Sequence, residues 1–437
     1  MINMDPGTIT IIIIVLFFVF LAMGMPVFGA LGISSVVGIY LLLGPRGLGA
    51  VPGVIYDRLN SFTLVAVPLF ILMGEIIFVT DIGSDLFTAA SLWLNRLTGG
   101  LAMASVVSAA IFGALCGVSI AGAATIGSFA IPEMLKRGYS KSMATGPVTA
   151  AGALSLLIPP SLAFILYGEV ADESVGKLFI GGIIPGITLA FMMIIYIGIV
   201  CKMNPKLAPK LTDVVTWKMR LRSLGRVWPS LVLIFLVLGG IYFGVCTPTE
   251  AAAVGCVGSF LINLHRKTLN WTVLRGIFMK TMLTSGMILF IFTSALLFGY
   301  VLTLLETPQQ LIMLLEKAEL SEWMTLTFAI GVVILMGMFM DIVSVILIST
   351  PLLLPIILNL GYNSLWYGII VGITCEMAVI TPPIGLNLYI IKGVSPDYIS
   401  IGDIIVSALP FVFVELACLI IFIMFPELCL WLPGKMG

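Results

Sequence analysis

Apolar stretches long enough to cross a bilayer recur from one end of this sequence to the other. Of the 437 residues, 60% are hydrophobic and only 10% are charged, a composition that predicts an all-α polytopic protein of the lipid bilayer. The 21 basic and 21 acidic side chains cancel, which excludes a nucleic-acid-binding face. We predict ten crossing segments, at 8–24, 27–44, 61–80, 142–170, 177–201, 227–244, 248–264, 281–304, 365–392 and 404–426.

Two further apolar stretches, 101–136 and 323–358, are each about two short helices long and have small residues in the middle. We interpret them as re-entrant hairpins. Residues 83–98 carry one apolar face and predict an interfacial helix. The first apolar run lacks a basic leader and a small-residue cleavage site, so we interpret it as a span rather than a signal peptide.

The distribution of basic residues predicts how the chain is oriented. The loop 202–226 carries seven Lys or Arg residues and 266–280 carries four, so both are expected in the cytoplasm. Counting outward places the base of the first hairpin inside and the base of the second outside. Both termini are then expected in the periplasm.

The two halves of the sequence are related by a shift of 223 residues. The shift aligns Pro132 with Pro355, and the pair Pro159-Pro160 with Pro382-Pro383, without a gap. Each half contributes five crossings and one hairpin, and an odd number of crossings turns the second half upside down. The pattern predicts an inverted repeat with two broken helices, which in transporters marks the binding site.

Each proline pair interrupts a long apolar run, "LSLLIPPS" at 154–161 and "AVITPPIG" at 378–385. Proline removes a backbone donor, so carbonyl groups of the preceding turn lose their helical partners. Sodium is a hard cation that favours oxygen ligands, so we expect it to bind such carbonyls together with the hydroxyl groups of Ser155, Ser161 and Thr381. The helix that restarts after each break directs amide groups toward the same region, where they attract an anion.

The hairpin middles, 114–128 and 336–350, are rich in small and hydroxyl-bearing residues. Such residues allow close backbone approach to an ion, although they also serve plain helix packing. Among the acidic residues in apolar segments, Glu376 fits either an ion or proton site or a carboxyl that caps backbone amides, whereas Glu250 fits a helix first turn. The seven cysteines form no metal-ligand spacing, and the single histidine, His265, lies in a polar loop.

Five stretches resemble the large membrane subunit of the tripartite ATP-independent periplasmic (TRAP) transporters. They are "IAGAATIGSFAIPEMLKRGY", "LSLLIPPS", "TPTEAAAVG", "GMFMDIVSVILISTPLLLPI" and "CEMAVITPPIGLNLYI". The resemblance implies an elevator-type transporter of the bacterial inner membrane, driven by sodium and without another cofactor. It further implies a periplasmic substrate-binding protein, a small organic anion (carboxylate or sulfonate) as substrate, and a four-helix small subunit that we expect to be a separate polypeptide.

The resemblance also implies where the ions and the substrate bind. The first sodium site would use Cys116, Ser119, Ser155, Ile158 and Pro159, and the second would use Gly337, Ala378, Thr381 and Ile384. The family tends to have Ser at position 116 and Gly at 155 and 378, so side-chain ligation at Cys116 is the weakest assignment. Symmetry places the substrate near Ser119, Thr125, Ser344 and Asn387.

The moving body expected from this resemblance comprises 101–176 and 323–400, each a hairpin followed by a broken helix. The scaffold comprises 1–100 and 177–322, and 401–437 forms a C-terminal helix. A stand-alone sodium–dicarboxylate symporter of the same superfamily is the main alternative, and an intramembrane enzyme or a passive channel is another. An enzyme would need a nucleophile–base pair or a metal cluster, and the sequence shows neither.

Overall fold

The computed structural model describes residues 5–209 and 215–436, and within these ranges the chain is helical without any strand. The first half contains α1 (Pro6–Ala22), α2 (Val27–Leu43), α3 (Val51–Leu59), α4 (Ala66–Phe78), α5 (Ile82–Leu94), α6 (Gly100–Cys116), α7 (Ser119–Lys136), α8 (Lys141–Ala153), α9 (Leu162–Ala171) and α10 (Val175–Met203). The second half contains α11 (Trp217–Tyr242), α12 (Pro248–Arg266), α13 (Trp271–Leu304), α14 (Thr307–Lys317), α15 (Glu322–Gly337), α16 (Ile342–Asn359), α17 (Ser364–Val379), α18 (Leu386–Val394), α19 (Ile401–Met424) and α20 (Glu427–Leu430). The all-α fold class is therefore confirmed.

Five helices of the described ranges are long and apolar enough to cross a membrane by themselves: α10, α11, α13, α16 and α19. A sixth span results if α3 and α4, which meet at a bend of 68°, count as one. The 17 residues of α1 and of α2 correspond to about 25 Å each, near the lower limit for a span. The predicted crossings at 142–170 and 365–392 each consist of two helices, because the chain breaks at both proline pairs.

Two helices begin well before the crossing segments predicted for them. The helices α11 and α13 begin at Trp217 and Trp271, ten residues before the predicted starts at 227 and 281, so several basic residues of the predicted loops lie on helices. Among them, Arg220 is buried because its guanidinium group lies over the ring of Trp217 and donates a hydrogen bond to the Leu92 carbonyl. Residues 45–59, which lie between two predicted crossings, form a 3-10 turn followed by α3. Lys210, one of the seven basic residues of the first loop, lies outside the described residues.

The shift of 223 residues relates whole helices and not only the proline pairs. Adding 223 to the bounds of α7, 119–136, gives 342–359, which are the bounds of α16. The same shift carries α2 onto α12, α5 onto α14, α8 onto α17, α9 onto α18 and α10 onto α19 within a few residues at each end. The bent pair α3–α4 corresponds to the single helix α13, so the repeats differ most at this point.

The two halves interleave around the hairpins. The second arm of the first hairpin, α7, packs against α18 of the other half, and its counterpart α16 packs against α9. The long helix α10 contacts α6, α9 and α17, while α19 contacts α8, α17 and α18. Both long helices therefore lie with the hairpins and broken helices, whereas the sequence-based division grouped α10 with the scaffold and left α19 apart.

The helix α5 is fixed to the second half by ion pairs. Asp85 pairs with Arg266 at the end of α12 at 2.7 Å and lies 3.8 Å from Arg226 of α11. At the start of α12, Thr247 and Glu250 form a reciprocal capping box, which confirms the structural interpretation of Glu250. The helix α5 is thus tied to α11 and α12, and α12 in turn packs on α4.

Candidate functional site

The first break lies directly against the tip of the first hairpin. The helix α6 ends at Cys116, and Gly117 takes a left-handed conformation with φ of 64° before α7 begins. A Cβ atom at Gly117 would lie 2.6 Å from the Pro160 carbonyl oxygen. Only glycine therefore permits both this turn and this approach. The Leu162 amide at the start of α9 donates to the Gly117 carbonyl at 3.4 Å.

Ser155 projects into the gap between the two arms of the first hairpin. A Cβ atom added at Gly113 of α6 or at Gly122 of α7 would lie 2.6 Å from the Ser155 Oγ. Both glycines are therefore needed to admit this hydroxyl group. This is the close approach that the small residues of the hairpin predict.

Two hydroxyl groups at the first break are fully buried and lack a hydrogen-bond partner among the described residues. They are the Oγ atoms of Ser155 and Ser161, and both residues are 0% exposed. An unsatisfied buried hydroxyl costs about 1–3 kcal/mol. A cation that both oxygens could coordinate would remove that cost, and the donor set of hydroxyl and carbonyl oxygens suits a hard ion such as sodium.

The other residues assigned to the first sodium site line its surroundings. The Cys116 Sγ lies 3.9 Å from the Gly74 carbonyl oxygen of α4, and the Cys116 carbonyl also faces Gly74. Ile158 packs against Gly186 of α10, where an added Cβ would lie 2.6 Å from its side chain. Pro159 is buried in the break. The structure thus brings the hairpin tip, the break and α10 together.

The second break gathers carbonyl groups around a left-handed glycine. Gly385 has φ of 51°, and a Cβ atom there would lie 2.9 Å from the Thr381 oxygen and 3.1 Å from the Val379 oxygen. The Thr381 Oγ1 donates to the Met377 carbonyl at 2.6 Å. Because a hydroxyl can donate once and accept twice, its lone pairs stay available to a cation.

The second hairpin reaches this break through Gly337. A Cβ atom at Gly337 would lie 2.5 Å from the Cβ of Ala378, so α15 and α17 are in contact here. Under the shift of 223 residues, Ala378 corresponds to Ser155 of the first repeat. Ile384, the last residue assigned to this site, is 37% exposed. The second break is therefore less enclosed than the first.

Of the four residues assigned to the substrate, the structure joins two. The Asn387 Nδ2 donates to the Ser119 Oγ at 3.0 Å, which links the start of α7 to α18 across the repeats. Ser344 instead binds Asp341, the N-cap of α16, through its amide at 3.1 Å and through its hydroxyl. The methyl group of Thr125 points toward Gly83 of α5. A Cβ atom added at Gly83 would lie 2.6 Å from it.

Two buried acids, Glu376 and Glu415, have neighbours that the sequence did not predict. The Glu376 Oε1 accepts a hydrogen bond from the Leu157 amide at 3.1 Å, so its carboxyl group binds a backbone amide of the other repeat. Glu415 of α19, also 0% exposed, interacts electrostatically with Glu376. The apolar surroundings of both acids were the only signal that the sequence offered.

Comparisons with known proteins settle the family. Residues 14–428 match the model of the tripartite ATP-independent periplasmic transporter, DctM component. The chain belongs to this family. It is 35% identical to the C4-dicarboxylate TRAP transporter large permease protein DctM of Pseudomonas aeruginosa, with 93% of this chain and 94% of that protein covered.

Other TRAP relatives carry different substrate names. The chain is 31% identical to the isethionate TRAP transporter permease protein DctMQ of Oleidesulfovibrio alaskensis, of which it covers 65%. It is 28% identical to the 2,3-diketo-L-gulonate TRAP transporter large permease protein YiaN of Escherichia coli, covering 87% of it.

A solved structure supports the fold. The Alcanivorax borkumensis YdaH transporter, of unusual topology, matches with a TM-score of 0.64 at 15% identity, over 89% of this chain and 91% of that one. At that identity the match concerns the fold alone. The predicted membership of a multi-pass TRAP transporter family is confirmed.

Proposed function

We propose that this chain is the large membrane subunit of a sodium-driven, binding-protein-dependent importer of a small organic anion. The observation that carries the proposal is the pair of buried, unpartnered hydroxyl oxygens of Ser155 and Ser161 at the first helix break. Their burial is costly in a membrane protein, and both lie at a helix break, where a cation would also meet free carbonyl groups. Sodium supplies the charge, and its gradient supplies the driving force.

The first sodium site would combine the Ser155 hydroxyl with carbonyl oxygens of the break at Ile158 and Pro159 and of the hairpin tip at Cys116 and Ser119. The close packing of Gly113 and Gly122 around Ser155 holds its hydroxyl group between the two arms of the hairpin. The Leu157 carbonyl is turned toward Gly182 of α10. It therefore belongs to the wall of the site.

The second sodium site would use the Thr381 hydroxyl with carbonyl oxygens of Gly337, Ala378 and Ile384. The support for it is the cluster of carbonyls around Gly385 and the contact between Gly337 and Ala378. The partial exposure of Thr381 and Ile384 leaves this site open to exchange, whereas the first is enclosed.

The substrate would bind beside the linked pair Ser119 and Asn387. An amide and a hydroxyl group recognise carboxylate or sulfonate oxygens, and the amide groups at the start of α18 add a positive potential. Ser344 would contribute from the second hairpin and Thr125 from α7. The relatives' names include a C4-dicarboxylate, isethionate and 2,3-diketo-L-gulonate, so a small organic anion is the common substrate class.

Transport would proceed as an elevator in which the hairpins and broken helices move together. The packing of α10 and α19 on these elements adds both long helices to the moving body. The ion pairs of Asp85 with α11 and α12 would hold the arm α5 to the scaffold. The chain would lie in the bacterial inner membrane with both termini in the periplasm.

Two partners complete the proposed transporter: a periplasmic substrate-binding protein and a four-helix small membrane subunit. One relative is named DctMQ and extends well beyond this chain, so the small subunit would be either a separate polypeptide, as we expect, or joined to the large one.

Reconstitution tests the proposal against a stand-alone sodium-coupled dicarboxylate symporter. The chain and its small subunit are placed in proteoliposomes, and uptake of the radiolabelled ligand of the binding protein is measured. We expect accumulation only with an inward sodium gradient and with the binding protein present. Uptake without the binding protein would favour the symporter, and uptake driven equally by potassium would contradict sodium coupling.

A further inference from the structure

One buried side chain joins the two broken helices. Glu376 lies on α17, two residues before Ala378 of the proposed second sodium site, and is 0% exposed. Its Oε1 accepts the Leu157 amide at 3.1 Å. Leu157 belongs to the first break, between Ser155 and Ile158 of the proposed first site. A side chain of one repeat thus holds the backbone at the ion site of the other.

Glu376 fixes Leu157 from one side while α10 fixes it from another. The Leu157 amide is shared between Glu376 and the Leu154 carbonyl, at 3.1 and 3.2 Å. A Cβ atom added at Gly182 of α10 would lie only 2.6 Å from the Leu157 carbonyl oxygen, so this carbonyl packs against α10. The peptide groups on either side of Leu157 are therefore set by these contacts, and they lie in the chain between the candidate ligands Ser155 and Ile158.

No other described contact gives Glu376 a structural task. Its Oε2 has no hydrogen-bond partner in the described part of the chain, and neither carboxyl oxygen of Glu415 has one. None of the ion pairs found among those residues involves either acid. Burying a carboxyl group is costly, and the only described hydrogen bond that Glu376 makes in return is the one to Leu157.

The link exists in one direction only. Subtracting 223 from Glu376 leads to Ala153 at the end of α8, and alanine has no side-chain acceptor. The second break therefore receives no corresponding hydrogen bond from the first repeat. This asymmetry distinguishes a dedicated contact from a general feature of the repeated fold.

We propose that Glu376 is a positioning residue that couples the two sodium sites. The inference rests on the proposed function. Sodium at the second site would fix the end of α17 through its carbonyl groups and thereby fix Glu376. Glu376 would then hold Leu157 in the conformation that the first site needs. Each ion would thus favour binding of the other, because a coupling between two sites is reciprocal.

Sodium binding to the purified complex of this chain with its small subunit tests the coupling. Equilibrium binding of radiolabelled sodium is followed against NaCl concentration, with choline chloride holding the ionic strength constant. We expect a Hill coefficient of about two for the wild type and about one for Glu376→Leu, whose sodium half-saturation rises about tenfold. Glu376→Gln keeps an acceptor oxygen for Leu157 and should stay within about twofold of the wild type.

Two further variants keep the test decisive. The side chain of Glu376→Asn is polar but too short to reach Leu157, so this variant should behave like Glu376→Leu. It takes the place of Glu376→Leu if that variant does not fold. Glu415→Gln alters the neighbouring acid and leaves the link intact, so it should retain cooperativity. Wild-type cooperativity in Glu376→Leu or Glu376→Asn would overturn the proposal, as would its loss in Glu376→Gln or Glu415→Gln. A wild-type complex that does not respond to sodium would overturn the proposed function itself.

Discussion

The two helix breaks share a proline pair but differ in how the chain encloses them. At the first break, Ser155, Pro160 and Ser161 are buried, and the hairpin tip touches the prolines. At the second, Pro383 and Ile384 are exposed. The first break is therefore sealed and the second is open. In an elevator transporter the sealed site would hold its ion during movement, while the open one would exchange with the substrate side.

The two breaks also differ in whether their hydroxyl groups already have a hydrogen-bond partner. The first offers two hydroxyl oxygens that have no partner among the described residues. The second offers the Thr381 hydroxyl, which already donates to the Met377 carbonyl. A cation is therefore needed more at the first break, and we expect the first site to be the tighter of the two.

Closing the breaks should have the largest effect. Replacing both prolines of a pair with alanine restores the amide donors and lets the helix continue, so the carbonyl ligands are lost. Pro159→Ala/Pro160→Ala and Pro382→Ala/Pro383→Ala should each lower sodium-driven uptake by at least about a hundredfold. Pro229→Ala, at a proline inside the scaffold helix α11, is the matched control and should transport normally. Normal uptake by either double variant would show that its break is not required.

Cysteine labelling measures how accessible each of the two breaks is to a reagent. Ile384→Cys at the open break should react with a membrane-impermeant maleimide at least about tenfold faster than Ser161→Cys at the sealed one, since reaction needs an accessible thiolate. Both variants are made after the chain's seven native cysteines have been replaced. Equal rates in the sodium-bound complex would remove the distinction between the sites.

Removing one buried oxygen tests the chemistry of the first break. Ser155→Ala keeps the Cβ atom that packs against Gly113 but deletes the Oγ atom. The loss of a charge-assisted contact of about 1.5 kcal/mol corresponds to a roughly tenfold rise in sodium half-saturation. Ser230→Ala removes another buried, unpartnered hydroxyl, in scaffold helix α11, and should leave sodium dependence unchanged. An equal effect of both variants would assign the change to packing rather than to ligation.

Periodic features of the sequence predicted more than individual contacts did. The apolar stretches located both hairpins and the proline pairs located both breaks, because proline constrains the backbone locally. The shift of 223, read from prolines and a few other identities, then related the two halves. The starts of α11 and α13 were missed because long basic side chains are compatible with a helix that emerges from the membrane. Thr125 and Ser344 were placed by symmetry alone, and the actual direction of each side chain depends on helix rotation.

The contact between Glu376 and Leu157 was beyond sequence reasoning for a different reason. It joins residues 219 positions apart, and no local pattern signals such a pair. The sequence did flag an acid in an apolar segment, which is the type of residue that most often has a function in a membrane. Which backbone amide it meets depends on how α17 packs beside the first break.

The smallest expected effect belongs to the open break, and it decides whether the second site uses a side chain at all. Thr381→Val removes the hydroxyl but keeps the shape of the side chain, so carbonyl ligands around Gly385 stay in place. We expect sodium half-saturation to rise only about threefold, because the hydroxyl's hydrogen bond to Met377 shows that it is already partly satisfied. Thr381→Ser restores the oxygen and should restore the wild-type value. A Thr381→Val effect as large as that of Ser155→Ala would make the two breaks chemically equal, and the enclosure of the first would then be their only difference.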